Sequence, residues 1–457
     1  MPVKNGKDTI VSLSSGLEKS AVALIRLSGE KCFATASLFL KPAEKLKSPT
    51  AGVLLRLEAV DDAGELLDRV LAVSYLSPKS YTGEDMLEIF CHGSPYIVRN
   101  IISTAIKSGA RQAMPGEFTF RAYLNGKMDL MEAEAVNDLI NSETTREHSA
   151  AISQLKGELG GKIKDLKSKL VGLLAEMEVR IDDTYEETPP LDIKSFSDSL
   201  SALREEISSM ARSFEKGRFV KNGVNTVICG LPNCGKSSLL NRLAGYNRAI
   251  VSPLAGTTRD TIEEKAEIAG FKFIFTDTAG LTEASDPVEK EGVKRSEKAI
   301  EKADLILFLK DSSTPETKTE KDAFLRVKSL KREKTPLLEI FSKSDLTQAR
   351  KPGNGQIALS SLTGKGMPEL MKSLEAFCLQ VPAASGSIIT SARHFTALSA
   401  AARDLQEAEK IVSSGAQRYE LLAEAMRLAL SDLADVAGET QAEDVLDRIF
   451  SEFCVGK

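Results

Sequence analysis

The chain reads as three kinds of structure: an α+β N-terminal domain, an all-α helical domain, and an α/β domain inserted into the helical one. Three observations predict this. Short β-type runs dominate as far as about residue 95, amphipathic helical stretches stand on both sides of a middle section, and within that section strand and helix alternate around a glycine-rich loop. The expected boundaries are 1–119 for the N-terminal domain, 120–217 and 382–457 for the two parts of the helical domain, and 218–381 for the insertion. A length of 457 residues agrees with about three domains.

Composition narrows the function classes. With 60 Lys and Arg against 65 Asp and Glu the net charge is −5, so the basic excess of a protein that coats nucleic acid is missing and any RNA contact must be local. No window approaches the roughly 18–20 apolar residues of a membrane span. The N-terminus, Met1-Pro2-Val3-Lys4-Asn5, has no apolar signal region, so a cytoplasmic protein without membrane association is expected. The six cysteines are scattered with no C-x-x-C pair, which argues for free thiols over a zinc site or a disulfide framework.

In the N-terminal part, residues 21–27, 53–57, 70–75 and 86–90 read as strands separated by Gly, Pro and Ser, with a helix near 97–107. From about residue 130 the period changes to that of helices. Ile163, Leu166, Leu170, Leu173, Leu174 and Met177 fall on one stripe, and Leu200, Leu203, Ile207 and Met210 on another. After Ser391 the pattern returns in Leu398, Leu405, Ala408 and Ile411, then Leu422, Met426 and Leu430, then Val445, Ile449 and Phe450. Neither set has enough partners to bury its stripes alone, so one interrupted helical domain is expected; two separate helical hairpins are the alternative. In the middle section, 226–229, 271–275, 305–309, 337–341 and 357–359 read as strands of a doubly wound, mainly parallel sheet.

The first of these strands runs into Gly230-Leu231-Pro232-Asn233-Cys234-Gly235-Lys236-Ser237, which fits G-x-x-x-x-G-K-[ST] and precedes a helical stretch opening with Ser238. Glycines let backbone N–H groups turn toward phosphates, the helix N-terminus adds positive potential, Lys236 suits the β/γ oxygens, and the Ser237 hydroxyl suits Mg²⁺. Asp277-Thr278-Ala279-Gly280 ends the next strand, where an Asp can hold Mg²⁺ through water and a Gly N–H can face the γ-phosphate. Thr258, between the two motifs, can give Mg²⁺ a second hydroxyl. Ser342-Lys343-Ser344-Asp345 ends another strand, where the Asp345 carboxylate can accept from guanine N1–H and N2–H₂, groups adenine does not offer; Ser360 and Ser361 suit a base-contacting loop. These ordered matches predict a P-loop, Ras-like guanine-nucleotide-binding domain.

Two departures stand out. Ser342 occupies the position of the usual Asn, whose amide ties the base loop to the phosphate loop, which puts affinity in question. Leu281 occupies the position where Ras-like GTPases orient water with Gln. Asn233 can help bind a monovalent cation beside the phosphates. Glu289 is a candidate to position the water, yet Asp286-Pro287-Val288-Glu289 also reads as a capping box, and spacing leaves both open.

Further motifs carry a resemblance. Ser80-Tyr81-Thr82-Gly83-Glu84-Asp85, Cys91-His92-Gly93, Pro115-Gly116-Glu117-Phe118-Thr119, Leu124-Asn125-Gly126-Lys127-Met128-Asp129-Leu130 and the terminal Cys454-Val455-Gly456-Lys457, with the GTPase motifs, make the chain similar to the tRNA-modifying GTPase family MnmE (TrmE) over essentially its whole length. The resemblance implies a homodimer formed through the N-terminal domain. It also implies an FAD-dependent partner, MnmG, in a heterotetramer, and modification of the wobble uridine of tRNA at carbon 5 with a one-carbon unit from a tetrahydrofolate derivative, 5-formyl or 5,10-methylene. By the same resemblance Arg26, Glu88, Lys127 and Lys457 contact folate. Asn233, Ser252, Leu254 and Thr257 hold K⁺, Glu289 is catalytic, and Cys454 takes part in the modification. Without the resemblance, Arg26 and Glu88 read first as a cross-strand ion pair. The alternative function is a GTP-gated switch in ribosome assembly, disfavoured by the absence of a basic appendage.

Overall fold

The structure, a computed structural model, describes residues 8–16, 18–181, 191–245, 263–278, 287–346, 350–379, 388–414, 418–439, 442–454 and 456, with the backbone alone of 263, 287–292, 443 and 444. Its contacts divide the chain into two compact units: residues 1–140, 154–171 and 430–457, and residues 141–153 and 172–429.

The first unit is built on a seven-stranded sheet. Its strands are β1 (Ile10–Leu13), β2 (Ser20–Ser28), β3 (Leu40–Lys41), β4 (Leu54–Val60), β5 (Leu66–Tyr75), β6 (Met86–Gly93) and β7 (Arg111–Gln112), in the order β3-β4-β5-β6-β2-β1-β7. Neighbours are antiparallel except β1 and β7. The expected runs become β2, β4, β5 and β6. β1 is four residues long and buried throughout, too short and too uniform to show alternation in the sequence. Ala23, Ile25 and Leu27 of β2 and Leu87, Ile89 and Cys91 of β6 form one core with Cys32 and Ala36 of the helix Cys32–Phe39 and Ile101 and Ala105 of the helix Pro95–Lys107. Because side chains alternate along a strand, the intervening residues of β2 and β6, among them Arg26 and Glu88, belong to the opposite face.

Helical pieces from both ends of the chain also belong to this unit. Leu130, Ala133, Phe450 and Phe453 form a small core, with the Phe120 ring edge-on to Phe450 at 5.1 Å, and Tyr123 donates to the Gly438 carbonyl at 2.8 Å. The unit that holds this sheet therefore includes residues 120–140 and 430–457 as well.

The second unit holds a six-stranded sheet: β8 (Val224–Gly230), β9 (Glu263–Ile268), β10 (Phe271–Asp277), β11 (Leu305–Asp311), β12 (Leu337–Ser342) and β13 (Ile357–Ala358), ordered β13-β12-β11-β8-β10-β9. All pairs are parallel except the β9–β10 hairpin, which turns through Ala269 and Gly270, both at positive φ (51° and 82°). β9, Glu-Glu-Lys-Ala-Glu-Ile, has the charge-rich composition of a poor strand former and escaped the sequence reading. Two cores lie on the sheet's faces, one around Phe273, Phe275 and Leu307, the other around Val227, Ile306 and Phe308.

The helices Ile193–Asn222 and Ala392–Ser413, far apart in sequence, pair within this unit and bury Leu200, Leu203, Ile207, Leu398, Leu405 and Ala408. Phe214 stacks on Phe395 at 4.8 Å and Arg204 pairs with Glu409 at 2.9 Å. That is the closure expected of one helical domain interrupted by another. Among the described residues no helix is long and apolar enough to cross a membrane. All six cysteines are free and only Cys454 is exposed.

Candidate functional site

The phosphate loop links β8 to the helix Lys236–Ala244. Gly230 (φ 150°) ends the strand where an added Cβ would lie 2.4 Å from the Leu309 carbonyl, and Gly235 caps the helix at φ 96°. Both demand the freedom that only glycine has. Asn233, at φ 61°, is exposed within the loop. Lys236 donates to the Gly230 and Leu231 carbonyls at 3.2 and 3.1 Å, which keeps its ammonium over the loop, and Ser238 follows in the helix's first turn.

Parallel pairing of β10 with β8 brings Asp277 beside this loop, and Ser237 donates to Asp277 Oδ2 at 2.9 Å. The other oxygen, Oδ1, is buried without a partner among the described residues. A hydroxyl beside an unsatisfied buried carboxylate oxygen is the oxygen-donor set that Mg²⁺ takes. Thr278 turns its hydroxyl to the Ile228 carbonyl at 3.1 Å. Thr258, Ala279, Gly280, Ser252, Leu254, Thr257 and Lys457 lie outside the described residues, so of the K⁺ positions only Asn233 is on view. Glu289 lies in the first turn of the helix Pro287–Lys302, and its side chain is outside what is described.

The base-reading end is more fully described. Lys343, at φ 56°, donates to Asp311 Oδ2 at 2.6 Å. Ser360, fully buried, donates to the exposed Asp345 carboxylate and holds it below the usual carboxylate range; Ser361 follows it in the same loop. The sequence reading missed the contact that Ser342 makes: its hydroxyl donates to the Cys234 carbonyl of the phosphate loop at 2.6 Å.

In the other unit, Arg26 and Glu88 face each other across β2 and β6 in register, with Arg26 donating to Glu88 Oε1 at 2.6 and 3.1 Å. The ion pair open at the sequence level is formed. It is also framed by groups assigned no role here at the sequence level: Tyr75 donates to Glu88 Oε2 at 3.2 Å, and the Arg26 guanidinium lies 5.2 Å from the centre of the Tyr81 ring and 5.6 Å from that of Phe118. Lys127 packs against Gly83, where an added Cβ would lie 3.3 Å from its Cγ, and donates to the Pro78 carbonyl at 3.0 Å. Arg26 and Lys127 thus border the same loop, 77–85. Cys454 accepts from the Gly116 N–H through its carbonyl at 3.4 Å, and its residue lines a cavity of about 920 Å³ with Leu13, Gly93, Val98, Arg99 and Gln112. The Gly456 carbonyl accepts from the Ser14 hydroxyl at 2.8 Å, and an added Cβ at Gly456 would meet the Leu13 carbonyl at 1.9 Å.

A phosphate loop after a strand, an Asp at the next parallel strand's end and a second Asp in the base loop define a P-loop GTPase. Known proteins narrow the class. Residues 9–127 match the family described as GTP-binding protein TrmE N-terminus, and residues 130–454 match the MnmE helical domain. The tRNA modification GTPase MnmE of Cytophaga hutchinsonii is 37% identical over 467 residues, covering 100% of this chain and 99% of that one. The Thermotoga maritima protein of the same name is 36% identical over 457 residues, covering 98% and 100%. Among solved structures, the G domain of the T. maritima FeoB iron transporter is similar at 22% identity over 33% of this chain and 96% of that one, with a TM-score of 0.27. The chain belongs to the MnmE family of tRNA modification GTPases. It is a GTP hydrolase of tRNA modification.

Proposed function

We propose that the chain is a K⁺-activated GTPase that, with the FAD-dependent partner MnmG, modifies the wobble uridine of tRNA at carbon 5 in the cytoplasm, with a tetrahydrofolate derivative supplying the one-carbon unit. In this reading residues 218–381 carry hydrolysis, 1–119 carry folate binding and dimerisation, and the helical parts 120–217 and 382–457 join them. Lys236 neutralises the β/γ oxygens, and Ser237 and Asp277 hold Mg²⁺ with Thr258. Asp345, oriented by Ser360, reads guanine. Asn233, Ser252, Leu254 and Thr257 would hold K⁺, whose positive charge would lie beside the β/γ-phosphates; Glu289 positions the water, since Leu281 offers neither donor nor acceptor.

The observation that carries the folate-dependent part is the anchoring of the C-terminal segment. Cys454 and Gly456 are bonded to Gly116 and Ser14, in the unit that also holds Arg26, Glu88 and Lys127. The exposed Cys454 thiol is thereby kept in the unit that holds the residues suited to a pterin edge and a glutamate tail. Dimerisation through the N-terminal domain is supported by the sheet face opposite the core, where Val22 and Leu54 are 57% exposed and Leu71 39%. A second copy and MnmG would make the heterotetramer.

The test is a calorimetric titration of the whole chain with 5-formyltetrahydrofolate and 5,10-methylenetetrahydrofolate. Binding of either, weakened in Lys127→Ala with GDP affinity unchanged, is the expected result; a chain that binds neither species does not use folate.

A further inference from the structure

Ser342 closes β12 and is 2% exposed. Its hydroxyl lies 2.6 Å from the Cys234 carbonyl and 3.1 Å from the Lys310 carbonyl. A hydroxyl has one proton to donate, and both neighbours only accept, so that proton is spent inside the protein. The main chain at this point is fixed, because the N–H of Ser312 donates to the Ser342 carbonyl at 3.1 Å and the Ser312 hydroxyl donates to the same carbonyl. The two loops are also in close approach: a Cβ on Gly235 would lie 3.9 Å from Ser342 Cβ.

An asparagine at this place would have two amide protons, enough to fasten the loop and still donate to a base. Guanine presents two edges. Its N1–H and N2–H₂ face a carboxylate acceptor, while its N7 and O6 are acceptors that require a donor. Near the base loop the Lys343 ammonium is drawn to Asp311 at 2.6 Å, and the Ser344 hydroxyl is buried out of reach of solvent, with no hydrogen-bond partner among the described residues. Ser342 has no proton left.

We propose that Ser342 is a positioning residue whose single hydrogen bond ties the base loop to the phosphate loop, and that guanine N7 goes unread in this chain. Side-chain recognition then works through the N1/N2 edge, which rests on the reading of Asp345 as its acceptor. The tether acts on the phosphate loop through the Cys234 carbonyl, next to Gly235 and Lys236, so the two halves of the nucleotide site are held in register by one bond.

The experiment compares GDP, 7-deaza-GDP, which lacks the N7 acceptor, and ADP on the full chain with Mg²⁺ by calorimetry. Wild type should bind GDP and 7-deaza-GDP within about twofold of each other, less than half a kcal/mol, and ADP far more weakly. Ser342→Ala should weaken both guanine nucleotides equally, by about tenfold, the loss of one buried hydrogen bond. Ser342→Thr, which keeps the hydroxyl, should restore them. Ser342→Asn should favour GDP over 7-deaza-GDP. A wild-type preference for GDP over 7-deaza-GDP of about tenfold or more overturns the unread N7, and unchanged affinities in Ser342→Ala overturn the tether. ADP bound as tightly as GDP refutes the Asp345 reading, a result separate from the 7-deaza comparison.

Discussion

Replacing Glu88 by Gln separates the two roles that its position allows. The carboxylate is 12% exposed, accepts two bonds from Arg26 and one from Tyr75, and the guanidinium it neutralises is equally enclosed over Tyr81 and Phe118. Gln keeps the volume and the Tyr75 contact but removes the charge. An exposed ion pair contributes about 0–1 kcal/mol and a broken buried one costs about 3–5 kcal/mol. At this enclosure a stability loss of about 1–3 kcal/mol is expected, moderated by the aromatic rings that remain beside Arg26. The ligand side has its own magnitude. Hydrogen bonds to a charged group contribute about 1.5–3 kcal/mol, so a pterin edge that loses its carboxylate should bind about 10- to 100-fold more weakly. Thermal unfolding measures the first quantity and calorimetry with 5-formyltetrahydrofolate, at a temperature where the variant is folded, measures the second. GDP affinity should not change, since the nucleotide residues belong to the other compact unit. A Gln variant that is less stable yet binds folate like wild type would show that Glu88 is a strand-to-strand ion pair and nothing more.

Asp345→Asn should shift preference from guanine to xanthine nucleotides, read as the ratio of GDP to XDP affinity; an unchanged ratio refutes the assignment. GTP turnover should be higher in KCl than in NaCl at equal ionic strength, and Glu289→Ala should leave GTP binding intact while lowering kcat by about 10²-fold. A wild-type rate in that variant would leave Glu289 a helix start. Glu117, 1% exposed, is pushed up by burial, but the Arg111 and Arg121 guanidiniums and the Met114 N–H outweigh that and hold its carboxyl below the usual range. A lowered folded-state value stabilises fully above the unfolded pKa of about 4.3 and is lost as pH falls through the folded one. The thermal midpoint of wild type should therefore drop steeply below about pH 4, and that of Glu117→Gln, lower at pH 7, should drop less; parallel slopes would refute the reasoning.

Local chemistry is legible in the sequence itself. The glycines at 230 and 235 announce a turn no other residue can make, and the β-type runs 21–27 and 86–90, bounded by Gly, Pro and Ser signals, announce strands. β1 and β9 were not legible, the first because four buried residues have no period and the second because charged residues disguise an edge strand. Glu289 stays a two-sided case, since the same four residues satisfy both a helix cap and a catalytic position.

What the residue order could not specify is which distant groups meet. Arg26 and Glu88 are 62 positions apart and pair because β2 lies against β6 in a register that sets them opposite each other; a slip of one residue would send each to the wrong face. Ser342 and Cys234 are 108 positions apart, and the serine looked like a lost asparagine until the strand order set its hydroxyl against the phosphate loop. The terminal Cys454 is distant in sequence from Gly116, and its bonding to Gly116 keeps it with the N-terminal unit. Motifs are legible because their chemistry is carried by neighbours in sequence. Pairings are not, because hydrogen bonds act over about 3 Å in space and only folding makes residues this distant in sequence into neighbours.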